Sequence, residues 1–87
     1  MEIVKTASAG TLESSDVFVE VAPGAGTVEV ELESVVQLQF GEAIESVVRE
    51  VLEENGVRSA SVRVTDRGAL ECVIRARVET ALLRGKE

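Results

Sequence analysis

Val28-Glu29-Val30-Glu31-Leu32-Glu33 alternates apolar and acidic residues with a period of two. Successive side chains of a strand point to opposite faces, so this stretch reads as a half-buried strand in an antiparallel sheet. The glutamate row on its other face reads as a solvated surface, in preference to a metal site. A few residues later the period changes. Phe40, Ile44, Val47, Val48, Val51 and Leu52 recur at spacings of three and four, which draws one apolar stripe along a helix. The stripe reads as core packing in preference to a partner groove. Glu42, Glu45, Arg49, Glu50 and Glu53 lie largely off it, and Glu45 and Arg49 are spaced to pair. Asn55-Gly56 is a helix stop, because glycine takes the left-handed cap conformation freely.

Upstream of the alternating stretch, Pro23-Gly24-Ala25-Gly26 breaks regular structure. Before that break, Val17, Val19 and Val21 alternate with Phe18, Glu20 and Ala22, as a strand does. Residues 1–8 read as a loose lead-in or a short edge strand. Downstream, Val62 and Val64 share a face of a third strand over Ser61–Thr65, and Asp66-Arg67-Gly68 makes a turn. The last segment fits two patterns. Leu70, Cys72, Ile74, Ala76 and Val78 alternate as in a strand, whereas Leu70, Val73, Ile74, Arg77, Ala81 and Leu82 fit a helical stripe. Its length and its Ala, Leu, Arg and Glu content favour helix. Asp66 near its start and Arg84 near its end suit the helix dipole. The expected fold is α+β in the order β-β-α-β-α. Two helices pack on one face of a small, largely antiparallel sheet of about three to four strands. Residues 1–87 read as a single domain.

Composition narrows what such a domain can do. The 87 residues carry 16 acidic and 9 basic side chains, a net charge of −7. That balance repels a phosphate backbone and argues against nucleic-acid binding, while it suits docking onto basic patches of protein partners. A chain this short buries roughly 60–65% of its unfolded surface, so it supports one modest core. With only two aromatics, both Phe, that core must come from Val, Leu, Ile and Ala. The single cysteine, Cys72, cannot close an internal disulfide and reads as a small buried hydrophobe. There is no histidine, and no Cys/His set for zinc. No apolar run approaches the ~20 residues that span a bilayer, and Met1-Glu2-Ile3-Val4-Lys5 lacks the basic start and apolar run of a signal peptide. A cytoplasmic protein without a membrane role is expected.

The stretch Ala9-Gly10-Thr11-Leu12-Glu13-Ser14-Ser15-Asp16-Val17 sets two adjacent hydroxyls between two carboxylates, in a turn ahead of the Val17-Phe18-Val19 run. A plain hairpin turn accounts for the composition, since Ser and Asp bond the local backbone. Ser14 could otherwise act as a nucleophile, as a phosphorylation site or as the anchor of a prosthetic arm. A nucleophile needs a base, and no histidine is present; Lys5 and Lys86 both sit near the chain ends. A turn between strands exposes a hydroxyl to a modifying enzyme and keeps the fold clear of an attached arm.

The same stretch resembles the serine segment of the citrate lyase acyl carrier protein family, the gamma subunits of that enzyme. Asp66-Arg67-Gly68-Ala69-Leu70-Glu71-Cys72-Val73-Ile74-Arg75-Ala76-Arg77 and its continuation to Leu83 resemble the family's C-terminal signature. Gln39-Phe40-Gly41 leading into Ala43-Ile44 is a shorter match. The three segments follow the family's order across nearly the whole chain.

The resemblance implies a non-catalytic carrier with Ser14 as the attachment point, and Ser15 as the rival site. Many members place Gly at the position of Ser15. The implied group is 2′-(5″-phosphoribosyl)-3′-dephospho-CoA, covalently bound through a phosphodiester. Its thiol carries acetyl, which a transferase subunit (alpha) exchanges for citryl, releasing acetate. A lyase subunit (beta) then yields oxaloacetate and restores acetyl, a cycle of citrate fermentation. A prosthetic-group transferase and an acetylating ligase are the further implied partners. Glu13 and Asp16 are candidate contacts to the modifying enzyme or its metal ion, with simple turn chemistry as the plain alternative. Arg75 and Arg77 are candidate contacts to the arm's phosphates or to a partner subunit, with solvated helix charges as the plain alternative.

Two other readings stand beside this one. The acyl carrier subunit of malonate decarboxylase resembles the same family in fold and type of arm. An unmodified interaction or assembly module would work without Ser14. An independent enzyme is disfavoured by the missing base and metal ligands.

Overall fold

The computed structural model describes residues 1–86. Six elements follow in the order β-β-β-α-β-α: β1 Ala7–Gly10, β2 Val17–Pro23, β3 Val28–Ser34, α1 Gln37–Glu54, β4 Ala60–Asp66 and α2 Glu71–Gly85. The α+β class and the two helices agree with the sequence. The order gains one strand at the front, because the edge-strand alternative for the lead-in is realised slightly later, at Ala7–Gly10.

The four strands form one sheet in the spatial order β1-β2-β4-β3. β1 pairs antiparallel with β2, and β2 antiparallel with β4. β3 pairs with β4 in parallel, which corrects the antiparallel expectation for the alternating stretch. The cause is α1. Its 18 residues carry the chain back about 27 Å, so the next strand runs in the same direction as β3. β4 enters between β2 and β3, and the Pro23–Thr27 crossing is fastened to it by Ala60 N–H donating to Thr27 O at 3.1 Å.

Register aligns the core in rows. Ala9, Val19, Val64 and Leu32 form one row, and Ala7, Val21, Val62 and Val30 the next. Both helices cover this face: α2 packs on β1 and β2, α1 on β3, and the two on each other. The buried hydrophobics are all Val, Leu, Ile or Ala, each fully buried Val or Leu contributing about 1.5–3 kcal/mol. Phe18 lies half-buried on the outer face of the sheet, and Phe40 is exposed. The latter is a correction to the α1 stripe, whose buried members are Ile44, Val48, Val51 and Leu52.

α1 ends as Asn55-Gly56 predicts. Gly56 takes φ 68°, its N–H donates to Glu53 O, and Val57 N–H donates to Leu52 O, a Schellman closure with Val57 buried beneath. At its start, Ser34 Oγ accepts from Val36 N–H while Gln37 Oε1 accepts from Ser34 N–H. This is a capping-box variant centred two residues ahead of the N-cap, Val36. The last segment is a helix, burying Ile74, Val78, Ala81, Leu82 and Gly85. Cys72 is exposed on its first turn, contrary to the buried reading, because it lies off the Ile74–Val78 side. Asp66 closes β4 instead of opening α2; Glu71 holds the dipole position, and Arg84 the C-terminal one.

Candidate functional site

The terminal row of the sheet is Val17, Asp66 and Ser34. The β1–β2 loop, the β3–α1 corner, the β4–α2 corner and both helix N-termini therefore gather at one end of the molecule. Ser14 and Ser15 form the turn of the β1–β2 loop at that end, and both are exposed.

The neck of this hairpin is built by Gly10. It adopts φ 95°, and a Cβ there would stand 1.9 Å from Val17 O and 3.3 Å from Arg77 Cδ. A missing side chain thus lets the two strands close and leaves room for an arginine from α2. Arg77 passes through that space to Asp16. Its Nε donates to Oδ1 at 3.2 Å and its Nη2 to Oδ2 at 3.0 Å. The same carboxylate accepts from Thr11 Oγ1 at 2.6 Å and from its own neighbour's amide, Val17 N–H, at 2.7 Å. These bonds, the Thr11 hydroxyl first, then the Val17 amide and Arg77, hold the Asp16 carboxyl down from 3.8 to about 2.

The turn is tied at other points. Thr11 Oγ1 accepts from Glu13 N–H at 3.2 Å, and Asp16 N–H donates to Glu13 O at 3.1 Å. Ser15 N–H donates to Arg67 O and Arg67 N–H to Asp16 O, extending the β2–β4 ladder into the loop. Ser15 has φ 66°, a left-handed conformation in which glycine is at ease and serine is strained. Among the described residues, the Ser14 hydroxyl has no hydrogen-bond partner. An exposed, unengaged oxygen on a turn fastened at both ends suits a covalent attachment.

The structure therefore brings together Ser14, Ser15, Glu13, Asp16 and Arg77. Glu13 enters the network only through its backbone, and its side chain is free at the surface. Asp16 is fully engaged by its own chain. Arg75 stands elsewhere, on the seam between the helices, paired with Glu50, Glu54 and Glu71. Sequence reasoning named the stretch but not the roles of Gly10 and Thr11. A glycine and a hydroxyl residue straddling the strand end, six and five positions before an aspartate respectively, were the available signal.

Behind the loop, Asp66 is buried among apolar residues. Its Oδ2 accepts from Ser34 Oγ at 2.7 Å and its Oδ1 from Ala69 N–H at 3.0 Å. One carboxylate thus joins the ends of β3 and β4 to the approach of α2. Beside it an apolar groove of about 330 Å³ opens between the first turns of the two helices, lined by Val36, Phe40, Ala43, Ile44, Ala69 and Ile74 among others.

Comparison with known proteins gives one consistent result. A family model of acyl carrier proteins, described as the malonate decarboxylase delta subunit, matches residues 4–85. The citrate lyase acyl carrier protein 2 of Salmonella paratyphi A is 56% identical over 88 residues, covering 100% of this chain and 91% of that protein. The citrate lyase acyl carrier protein of Klebsiella pneumoniae is 54% identical with the same coverage. A chain in the crystal structure of a Pseudomonas malonate decarboxylase hetero-tetramer in complex with malonate superposes with a TM-score of 0.73 at 17% identity. It covers 97% of this chain and 91% of that one, a likeness of fold.

Proposed function

The chain belongs to the citrate lyase acyl carrier protein family, and from that membership we propose that it is the acyl carrier subunit of a citrate lyase, itself non-catalytic. Ser14 is the attachment point of a phosphodiester-linked 2′-(5″-phosphoribosyl)-3′-dephospho-CoA, in a cytoplasmic complex with transferase and lyase subunits. When attached, that group supplies a thiol that carries acetyl and citryl as thioesters.

The observation that carries this reading is full-length identity above 50% combined with an unengaged Ser14 hydroxyl on a locked turn. The chain's own residues supply position. Thr11, Asp16 and Arg77 fix the base of the turn, and Arg67 fixes Ser15, so Ser14 projects at a constant place relative to the sheet. Tethering a substrate there raises its effective concentration at each partner active site. Ser14 is preferred over Ser15 because Ser15 occupies the left-handed position, where the family commonly has Gly.

Intact-protein mass spectrometry tests the reading. The protein is isolated from citrate-fermenting cells beside Ser14→Ala and Ser15→Ala variants. A mass gain equal to the arm, lost only in Ser14→Ala, is expected. Loss only in Ser15→Ala would move the site by one residue. An unmodified chain, in cells that load their other carriers, would leave an interaction module instead.

A further inference from the structure

The apolar groove between the helix N-termini lies next to the serine turn. Ser15 N–H donates to Arg67 O at 2.8 Å, and the two residues after Arg67, Gly68 and Ala69, are part of the groove wall. Phe40 stands on the opposite wall with 54% of its surface exposed; Val35 (65%) adjoins Gly68, and Leu70 (71%) lies between the lining residues Ala69 and Glu71. Large apolar side chains left in water next to a functional turn mark an interaction surface.

The chemistry of the groove selects its occupant. The lining holds no cation; its only charged member is Glu71. A phosphate-bearing arm or a citryl group would be repelled there by that carboxylate and by a chain of net charge −7. An apolar side chain of a protein would not. Among the enzymes that act on this carrier, the one that installs the arm is distinctive. It must bring its active site to the Ser14 oxygen directly, with no arm to bridge the gap, so it must cover the surface beside Ser14.

We infer that the groove between α1 and α2 receives an apolar side chain of the prosthetic-group transferase, from a face whose basic residues complement this acidic chain. The inference rests on the carrier reading. The groove fixes the approach of the enzyme, and the Ser14 turn offers the hydroxyl.

The test is an in vitro loading assay with the full chain, the transferase and its nucleotide donor, read by intact mass. Two variants alter exposed positions in opposite ways: Phe40→Ser removes a wall, and Ala43→Gln fills the groove. Leu83→Ser, at the far end of α2, is the control. KM for the carrier is expected to rise roughly tenfold or more in both groove variants, with kcat at saturation unchanged and the control normal. Equal KM in all forms would overturn the docking surface while leaving the carrier intact. So would a wild-type dimer that Phe40→Ser dissociates without slowing loading. A wild-type chain that accepts no arm would sink the carrier reading and this one with it.

Discussion

Arg77 and Asp16, 61 residues apart in sequence, meet in a two-point ion pair of 3.0 and 3.2 Å that joins α2 to the serine turn. It is the one place where the two long segments that resemble the carrier family touch through charged side chains. The pair lies at the edge of solvent, with side-chain exposures of 39% and 15%, so its role is geometric more than energetic. It sets where the turn stands relative to the helices, and hence relative to the groove.

The pH dependence of this lock follows from the depressed Asp16 value. A carboxyl whose folded pKa lies below its unfolded one adds stability that is complete above the unfolded value, 3.8, and is lost as pH falls toward and through about 2. NMR titration of the Asp16 carboxyl should give a midpoint near the low value. Thr11→Val should raise it most, because that hydroxyl is the largest cause, and Arg77→Met should raise it as well. A midpoint unmoved in both variants would mean that the network does not persist in solution.

Gly10→Ala should be among the most damaging single-methyl additions in the chain. The new Cβ would meet Val17 O at 1.9 Å in a backbone of φ 95°, and would crowd the path of Arg77. Arg77 can give the few tenths of an ångström it needs, but the Val17 backbone cannot yield without opening the hairpin. A loss of about 2–4 kcal/mol is expected in urea unfolding, with loading of Ser14 slowed even where the variant stays folded. Wild-type stability in Gly10→Ala would remove the hairpin neck from the account of the site.

Asp66 presents a different kind of dependence. Asp66→Ala leaves Ser34 Oγ–H and Ala69 N–H without their buried acceptor, which costs about 1–3 kcal/mol per group left unsatisfied. Ser34→Ala removes one donor and the acceptor of Val36 N–H but leaves the carboxylate its Ala69 bond, so it should cost less. A double-mutant cycle in denaturant should show coupling between the two positions. Strict additivity would mean that the Ser34–Asp66 bond contributes nothing.

Much of this was legible in the sequence, for identifiable reasons. The alternation of Val28–Glu33 and the three-and-four spacing of Ile44–Leu52 each impose a periodicity that only one element satisfies. Asn55-Gly56 gave the helix end because the Schellman closure is a local device. The direction of β3 was not legible from β3 itself, since alternation reports one covered face and not the partner's direction. The intervening helix decided it. Phe40 matched the stripe but lies one turn before Ile44, beyond the edge of the core, so periodicity placed it on the right side and not at the right depth. The family resemblance marks Arg77, yet its partner depends on how α2 crosses the β1–β2 hairpin, which no local pattern encodes.

Ser15 offers the sharpest test of how the turn is built. Its φ of 66° costs a side chain about 1–2 kcal/mol, while glycine gives back roughly 0.5–1 kcal/mol through its freer unfolded state. Ser15→Gly should therefore be neutral to stabilising by up to ~1.5 kcal/mol, and should be loaded at Ser14 as fast as wild type. Ser15→Val should be less stable than wild type, since a β-branched residue tolerates that region least. Thermal unfolding of the three forms, with intact mass after loading, reads both effects at once. A Ser15→Gly chain that folds well but takes no arm would place the reactive hydroxyl on Ser15. The left-handed residue would then be presenting the hydroxyl instead of shaping the turn behind it.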